Sequence, residues 1–513
     1  MSLFKNKKTV KENKTAQGNQ AVFTEVDLAD CQGLLVRGYG QLPHAQFLVL
    51  TINEGAAAKA TLSQWIDTIT RGNQKPLDSA MNIAFTHEGL VALDLEGDAL
   101  ESFADTFRAG MTTSHKQRML GDIGESAPEH WLWGGDAHVV VMIYGKTQSE
   151  LADASEAFTT AVNGEGLTVV FDQVTETLPD GKEHFGFRDG IAQPYIREFD
   201  RQGKLAHQEA VPLGEFVLGY SNGYELQTRS PKVRASDDTQ DLLQVSAEES
   251  GYHDLGRNGS YLVVRQLEQD VPGFWQSMQD LSQQTQQQDP IYLASKMVGR
   301  WPNGVPLVMS PDAEPTEVPD DLDDFMYQQE DADGLRCPLG AHIRRTHPRD
   351  SLPPEPGSEK SIEFSNRHRL LRRGRPYGKP VDSSMLPQRF LEALGNNKKV
   401  TNDSRGLMFV AFNANIERQF EFVQHTWSNN PNFNGLYQEP DPIIGTRDVV
   451  KSRREQLGQD DQPESASEDP FTIQGCPMHQ RVSGMPNFVS MKGGGYFFMP
   501  SLSALKFLLS AKA

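Results

Sequence analysis

An acid between glycines, a histidine among arginines and a paired guanidinium run are the residues here whose types and spacing can do chemistry. The first lies in HFGFRDGIAQP, residues 184–194, where Gly186, Phe187, Arg188, Asp189 and Gly190 spell G-x-x-D-G. Glycines on both sides of an acid let the backbone come close to a flat ligand and leave the carboxylate accessible. The same letters also suit a plain D-G turn between strands. The second string runs from Cys337 through Pro338, Gly340, Ala341, His342, Ile343, Arg344, Arg345 and Thr346 to Arg349. A neutral imidazole is the usual protein ligand of haem iron in peroxide chemistry. The flanking Arg344 and Arg345 are of the type that grips a propionate carboxylate in bidentate fashion. A surface basic patch is the plain alternative, and Cys337-Pro338 and Cys476-Pro477 raise thiolate ligation as another. The third string, Arg369-Leu370-Leu371-Arg372-Arg373-Gly374-Arg375-Pro376-Tyr377-Gly378, is basic enough for nucleic acid or for buried propionates and a peroxide.

Elements to position these residues are legible around them. Phe47–Ile52 reads as a buried strand, and Leu62, Trp65, Ile66 and Ile69 fall on one helix face that Gly72 is expected to cap. Asn82–Thr86 follows as a strand. The unit recurs: His138–Tyr144 is a strand rich in β-branched residues, and Thr147 with Glu150 forms a capping box. Leu151, Ala154, Phe158 and Ala161 then line a helix, and Leu167–Phe171 supplies the returning strand. Past residue 250 the theme returns in the strands 260–265 and 407–412. A helix marked by Ile416, Phe420, Val423 and Trp427 follows, and a final strand, 496–499, leads to a helix beginning near Ser501. Repeated β-α-β units of this kind predict an α+β chain of two ferredoxin-like domains, each an antiparallel sheet with helices. The expected divisions are a flexible tail over 1–20, an N-terminal domain over 21–250 and a C-terminal domain over 251–513. Residues 311–333 and 451–470 are polar, and the first stretch is strongly acidic, so both read as solvated insertions.

Bulk properties narrow the function classes. A formal net charge of -20 works against nucleic-acid binding, which needs a basic surface. At 37% hydrophobic residues the chain can bury a true core, yet it has no apolar run long enough to span a membrane. Three widely spaced cysteines offer no CxxC pair, so a zinc or iron–sulfur site is not expected, and the N-terminus lacks the apolar core of a signal peptide. The expected location is the cytoplasm.

Taken in order, G-x-x-D-G, then G-A-H-I-R-R-T-x-P-R, then L-L-R-R-G-x-P-Y-G resemble the dye-decolourising haem peroxidases, in their larger, insertion-rich branch. The resemblance extends to GLVAL from Gly89, LGDIGESAPEHWLWGG from Leu120, GSYLVVRQLEQDV from Gly259 and GGGYFFMPSLSAL from Gly493. It implies haem b held mainly by the C-terminal domain, with His342 as the iron ligand. Asp189 and Arg372 become the catalytic acid–base group and guanidinium, with Arg373 the alternative to Arg372. Gly186, Arg344, Arg345, Arg372, Leu407 and Phe409 become cofactor contacts. Hydrogen peroxide and small organic reductants are the implied partners, with no nucleic acid, no membrane and self-association open. Many relatives place an aspartate against the proximal histidine. Asn415 occupies the apparent position here, with Glu417 as the substitute. A non-catalytic haem carrier or sensor, and a chlorite dismutase-type enzyme, are the competing readings.

Overall fold

The computed structural model describes residues 22–199, 210–285, 289–395, 403–447 and 470–510. The expected tail over 1–20 and residues 451–469 of the second insertion lie outside them.

The first half builds on β1 (His44–Ile52), β2 (Ser79–Phe85), β3 (Val139–Gly145) and β4 (Leu167–Glu176). They lie in the order β2-β3-β1-β4, all neighbours antiparallel. Helix α1 (Gly55–Ser63) links β1 to β2, and α2 (Gln148–Val162) links β3 to β4, which is the ferredoxin-like arrangement. Every residue of β3 is buried, as a β-branched run covered on both faces must be. The capping box at α2 forms as read: Thr147 Oγ1 accepts from Glu150 N, and Glu150 Oε2 accepts from Thr147 N. The buried face of α2 is Leu151, Ser155, Phe158 and Val162, so Ala161 gives way to Val162 as the stripe drifts. Helix α1 stops at Ser63 and the chain tightens to a 3₁₀ turn over Ile66–Thr68. Trp65 therefore meets Phe158 edge-on from a turn, with ring centroids 5.1 Å apart. Gly72 caps nothing. A Cβ there would lie 2.6 Å from Leu28 O, so close packing demands the glycine.

The second half repeats the order with β5 (Ser260–Gln269), the short β6 (Leu371–Arg372) and β7 (Arg375–Tyr377), β8 (Gly406–Asn413) and β9 (Val489–Met499). Here β5 sits between β9 and β8, and β7 lies on the far side of β8. Single residue pairs join the halves, Phe85 to Phe498 and Thr175 to Tyr377, so the sheet closes on itself. Its inner face is one apolar core drawn from both halves, including Phe47, Val49, Met142, Leu262, Val410 and Phe497. The outer face differs between the halves. Over the first, Leu48, Leu50 and Val141 meet helices. Over the second, Arg265, Leu267, Leu407 and Phe409 border a cavity.

Two segments depart from expectation. The helix after β8 is π-helical over Glu417–Glu421 and Val423–Ser428, and Phe420 and Val423 reach the cavity from it. Wide coils of this kind concentrate at functional sites. The acidic stretch 311–333 is not simply solvated: Leu322, Phe325 and Tyr327 are buried, and Asp323 pairs with Arg300 and Arg349. No helix among the described residues is long and apolar enough to cross a membrane.

Candidate active site

His342 opens the single-turn helix α3 (His342–Thr346) and lines a cavity of about 290 Å³. Its Nδ1 lies 2.9 Å from Asp441 Oδ2. A carboxylate only accepts, so Nδ1 carries the proton and Nε2 keeps its lone pair. Asp441 is fully buried and held by its own turn, where Oδ1 accepts from Ile443 N and Ile444 N at 2.8 and 3.0 Å. Burial opposes charge on both partners, but their mutual attraction wins. The imidazole is raised above its ordinary value, and the Asp441 carboxyl is held below its own. This corrects the expected partner: Asn415 Oδ1 instead accepts from Arg418 N, and Glu417 is exposed.

Asp189 lines the same cavity from a hairpin whose arms pair Gly181 O with Asp189 N and Lys182 with Arg188. Arg372 Nη1 donates to Asp189 Oδ1 at 2.9 Å, and Gly190 N donates to the same oxygen at 2.6 Å. Gly190 stands at φ +77°, a left-handed conformation suited to glycine, so the amide turns back on the acid. The Asp189 side chain keeps 40% exposure, part of it facing the cavity it lines. Burial pushes its carboxyl up. The charge of Arg372 and the Gly190 amide outweigh that and hold it below the ordinary value. His342, Asp189 and Arg372 all line the one cavity.

Strand β6 decides between the two arginines. Arg372 pairs with Ala411 and reaches the cavity, while Arg373 turns the other way and donates from Nε to Leu34 O at 3.0 Å. Leu407 and Phe409 line the cavity from β8. Three expected cofactor contacts do not. Arg344, wholly buried, pairs with Asp331 at 3.1 Å and donates to Cys337 O. Arg345 donates to Trp427 O and Glu439 O, bracing the segment that delivers Asp441. A Cβ on Gly186 would meet Phe390, Pro387 and Met385 O, so its left-handed turn serves packing beneath the hairpin. The reason for the arginines is angular. Ile343 and Thr346 line the cavity with His342, at about 100° and 40° around the helix from it, whereas Arg344 and Arg345, at about 200° and 300°, fall outside that arc.

Arg349 and Arg369, buried and cavity-lining, bring guanidinium groups that the sequence strings contained without singling them out. Arg369 Nη1 donates to His347 Nε2 at 2.8 Å, which keeps that imidazole neutral. Asp441 carried no signal, since it lies 99 positions from His342 between two prolines.

The donor set fits a haem. One imidazole nitrogen is fixed by a buried carboxylate, the other remains for a metal, apolar side chains such as Leu407 and Phe409 form part of the wall, and arginines lie along it. The volume is near the lower end of the roughly 300–1,000 Å³ usual for small-molecule sites. Thiolate ligation does not fit: burial pushes the Cys337 thiol up to about 11, and neither Cys337 nor Cys476 lines the cavity.

No family model matches the chain. It is 30% identical over 510 residues to dye-decolorizing peroxidase msp1 of Mycetinis scorodonius, covering 94% of this chain and 88% of that one. Among solved structures, an ancestral D-type dye-decolorizing peroxidase superposes with a TM-score of 0.72 at 27% identity, over 94% of this chain and 99% of that one. A fungal DyP-type peroxidase from Auricularia auricula-judae gives 0.70 at 25% identity, over 96% and 100%.

Proposed function

The chain belongs to the dye-decolourising peroxidases, and from that premise we propose a haem b enzyme in which His342 ligates iron and Asp189 with Arg372 handles the peroxide. It reduces hydrogen peroxide and oxidises organic donors, dyes and phenolics among them. One observation carries the assignment of roles: the Asp189–Arg372 pair, 2.9 Å apart, shares its cavity with an imidazole whose far nitrogen is already committed to Asp441.

Bound there, haem would supply the metal that splits the O–O bond and the oxidising equivalents that organic donors quench one electron at a time. Asp189 is ionised at all but strongly acid pH. Its Oδ1 is engaged by Arg372 and Gly190, so Oδ2 takes the proton from the inner peroxide oxygen and returns it to the outer one. The Arg372 guanidinium holds the negative charge that grows on the departing oxygen. Asp441 keeps Nδ1 of His342 protonated and the ring oriented, and lends the imidazole anionic character. Arg349 and Arg369, which line the cavity where Arg344 and Arg345 do not, would be the arginines available to meet the carboxylates of a bound haem.

A non-catalytic haem carrier has no use for an acid–guanidinium pair beside its ligand, and the relatives are named peroxidases. We read the chain as two ferredoxin-like units dividing near residue 250. We place the protein in the cytoplasm, in keeping with three unpaired cysteines. The experiment that tests the assignment compares absorption spectra of haem-loaded wild type and His342→Ala, then adds peroxide and a dye. Sustained dye bleaching by wild type, with loss of the histidyl spectrum in the variant, is expected. Bleaching of the haem without dye turnover would leave only a carrier.

A further inference from the structure

Glu183 stands at the cavity edge, six positions before Asp189, and the mechanism above gives it no part. Its surroundings are unusual for a glutamate. Oε1 accepts from Phe187 N at 2.9 Å, and Oε2 accepts from Phe185 N at 2.9 Å and from Gln269 Nε2 at 2.6 Å. Its backbone is tied to the same turn, with Glu183 N donating to Phe187 O and Gly186 N donating to Glu183 O. One residue thus closes the hairpin of residues 181–189 with both its main chain and its side chain. Gln269, at the end of β5, adds a tie to the second half of the fold.

The hairpin tip is anchored independently. The Phe185 and Phe274 rings lie 4.5 Å apart, and Phe187 lies parallel to Trp275 with centroids 6.3 Å apart. His184 Nε2 donates to Tyr377 O. Between this anchored tip and Asp189 lies only Arg188, so the placing of the Phe187 amide sets where the acid emerges. Phe187 is held on its carbonyl and on its amide by the same glutamate.

We propose that Glu183 is the positioning residue of Asp189, its carboxylate fixing the return arm of the hairpin so that the acid meets Arg372 and the peroxide. Three N–H donors converge on two oxygens. A glutamine would turn one of those oxygens into an amino group facing a donor, so it cannot satisfy the same set. Burial raises the Glu183 carboxyl to about 7, which means the site retains an acid where a neutral amide would be easier to bury. The inference rests on the catalytic role given to Asp189 above.

The test uses haem-loaded protein at mildly alkaline pH, above the Glu183 value of about 7: wild type, Glu183→Gln, Asp189→Asn and the double variant. The rate of reaction with hydrogen peroxide is read by stopped flow. Amide hydrogen exchange over 183–190 is read on the same proteins. Glu183→Gln is expected to slow the peroxide reaction about 10- to 100-fold, the usual cost of a slightly misplaced group. KM for the organic donor should hold and exchange should quicken over 183–190. Once Asp189 is asparagine, Glu183→Gln should slow the reaction no further, because its effect passes through the acid. An undiminished loss in the double variant, or a full-speed Glu183→Gln enzyme, overturns the positioning role while leaving the function intact. An Asp189→Asn enzyme as fast as wild type overturns both. If Glu183→Gln does not accumulate, Gln269→Leu removes one donor and leaves two. A fall of a few-fold in the peroxide rate, absent in the Asp189→Asn background, is then expected, and an unchanged rate counts against the proposal.

Discussion

The two sides of the cavity are built to different tolerances. On the imidazole side, Asp441 has no exposed surface, accepts from two backbone amides as well as His342, and sits on a segment braced by Arg345. On the acid side, Asp189 keeps 40% exposure and is held by one guanidinium and one amide. A ligand that must hold a metal through many turnovers calls for an immobile ring, since small displacements alter both affinity and potential. A proton carrier must face its substrate and keep an oxygen uncommitted, so it cannot be wholly enclosed. The difference is one of task, and it shows why the same residue type, aspartate, is buried on one side and open on the other.

Substitutions should break this contrast in a definite order. His342→Ala removes the only proposed metal ligand, so reconstituted protein should lose the histidyl absorption spectrum and dye turnover together. Asp189→Asn leaves the ligand untouched. The spectrum should stay near that of wild type while the peroxide rate falls about 10²–10⁴-fold, the span for a general acid–base group. Asp441→Asn should do the reverse in kind: roughly 10–100-fold in haem affinity or activity, and a raised iron potential measured by redox titration, because a neutral amide pulls less on Nδ1–H. If Asp441→Asn changed only the peroxide rate, the division of labour between the two sides would be wrong.

How much of this the chain discloses in advance depends on what kind of contact each residue makes. Strand β3 and helix α2 are legible because their signals are local: a β-branched run, a capping box and an amphipathic stripe. Asp189, His342 and Arg372 are legible because each sits in a string whose letters constrain one another. Asp441 is not, because a hydrogen bond across 99 positions leaves no period in the sequence, and Asn415 merely follows the right strand. Arg344 and Arg345 mislead for the opposite reason. Nearness in sequence suggests a shared target, but helix geometry turns them inward to Asp331 and to the carbonyls of Trp427 and Glu439. The acidic stretch misleads by composition: its charges hide Phe325 and Tyr327, which reach the cavity, and Asp323, which clasps two arginines.

The smallest expected effect is also the one that reads the electrostatics of the acid side alone. Burial raises the Asp189 carboxyl, and Arg372 together with the Gly190 amide more than reverses that, so its titration lies below the ordinary aspartate range of about 3.9. The working form is the carboxylate. The limb set by Asp189 itself should therefore lie below that range, separate from the earlier loss expected as Glu183 takes up its proton at about 7. Replacing Arg372 by leucine removes the leading force that holds the proton off while burial remains, so the acid limb of the profile must move upward in pH. The informative quantity is the position of the limb, not the height of the curve, which drops in any case when the guanidinium is lost. On the imidazole side Asp441→Asn should leave that limb almost where it was, since His342 is the last of the influences on Asp189. A limb that moved with Asp441→Asn and stayed fixed with Arg372→Leu would mean that another group carries the proton.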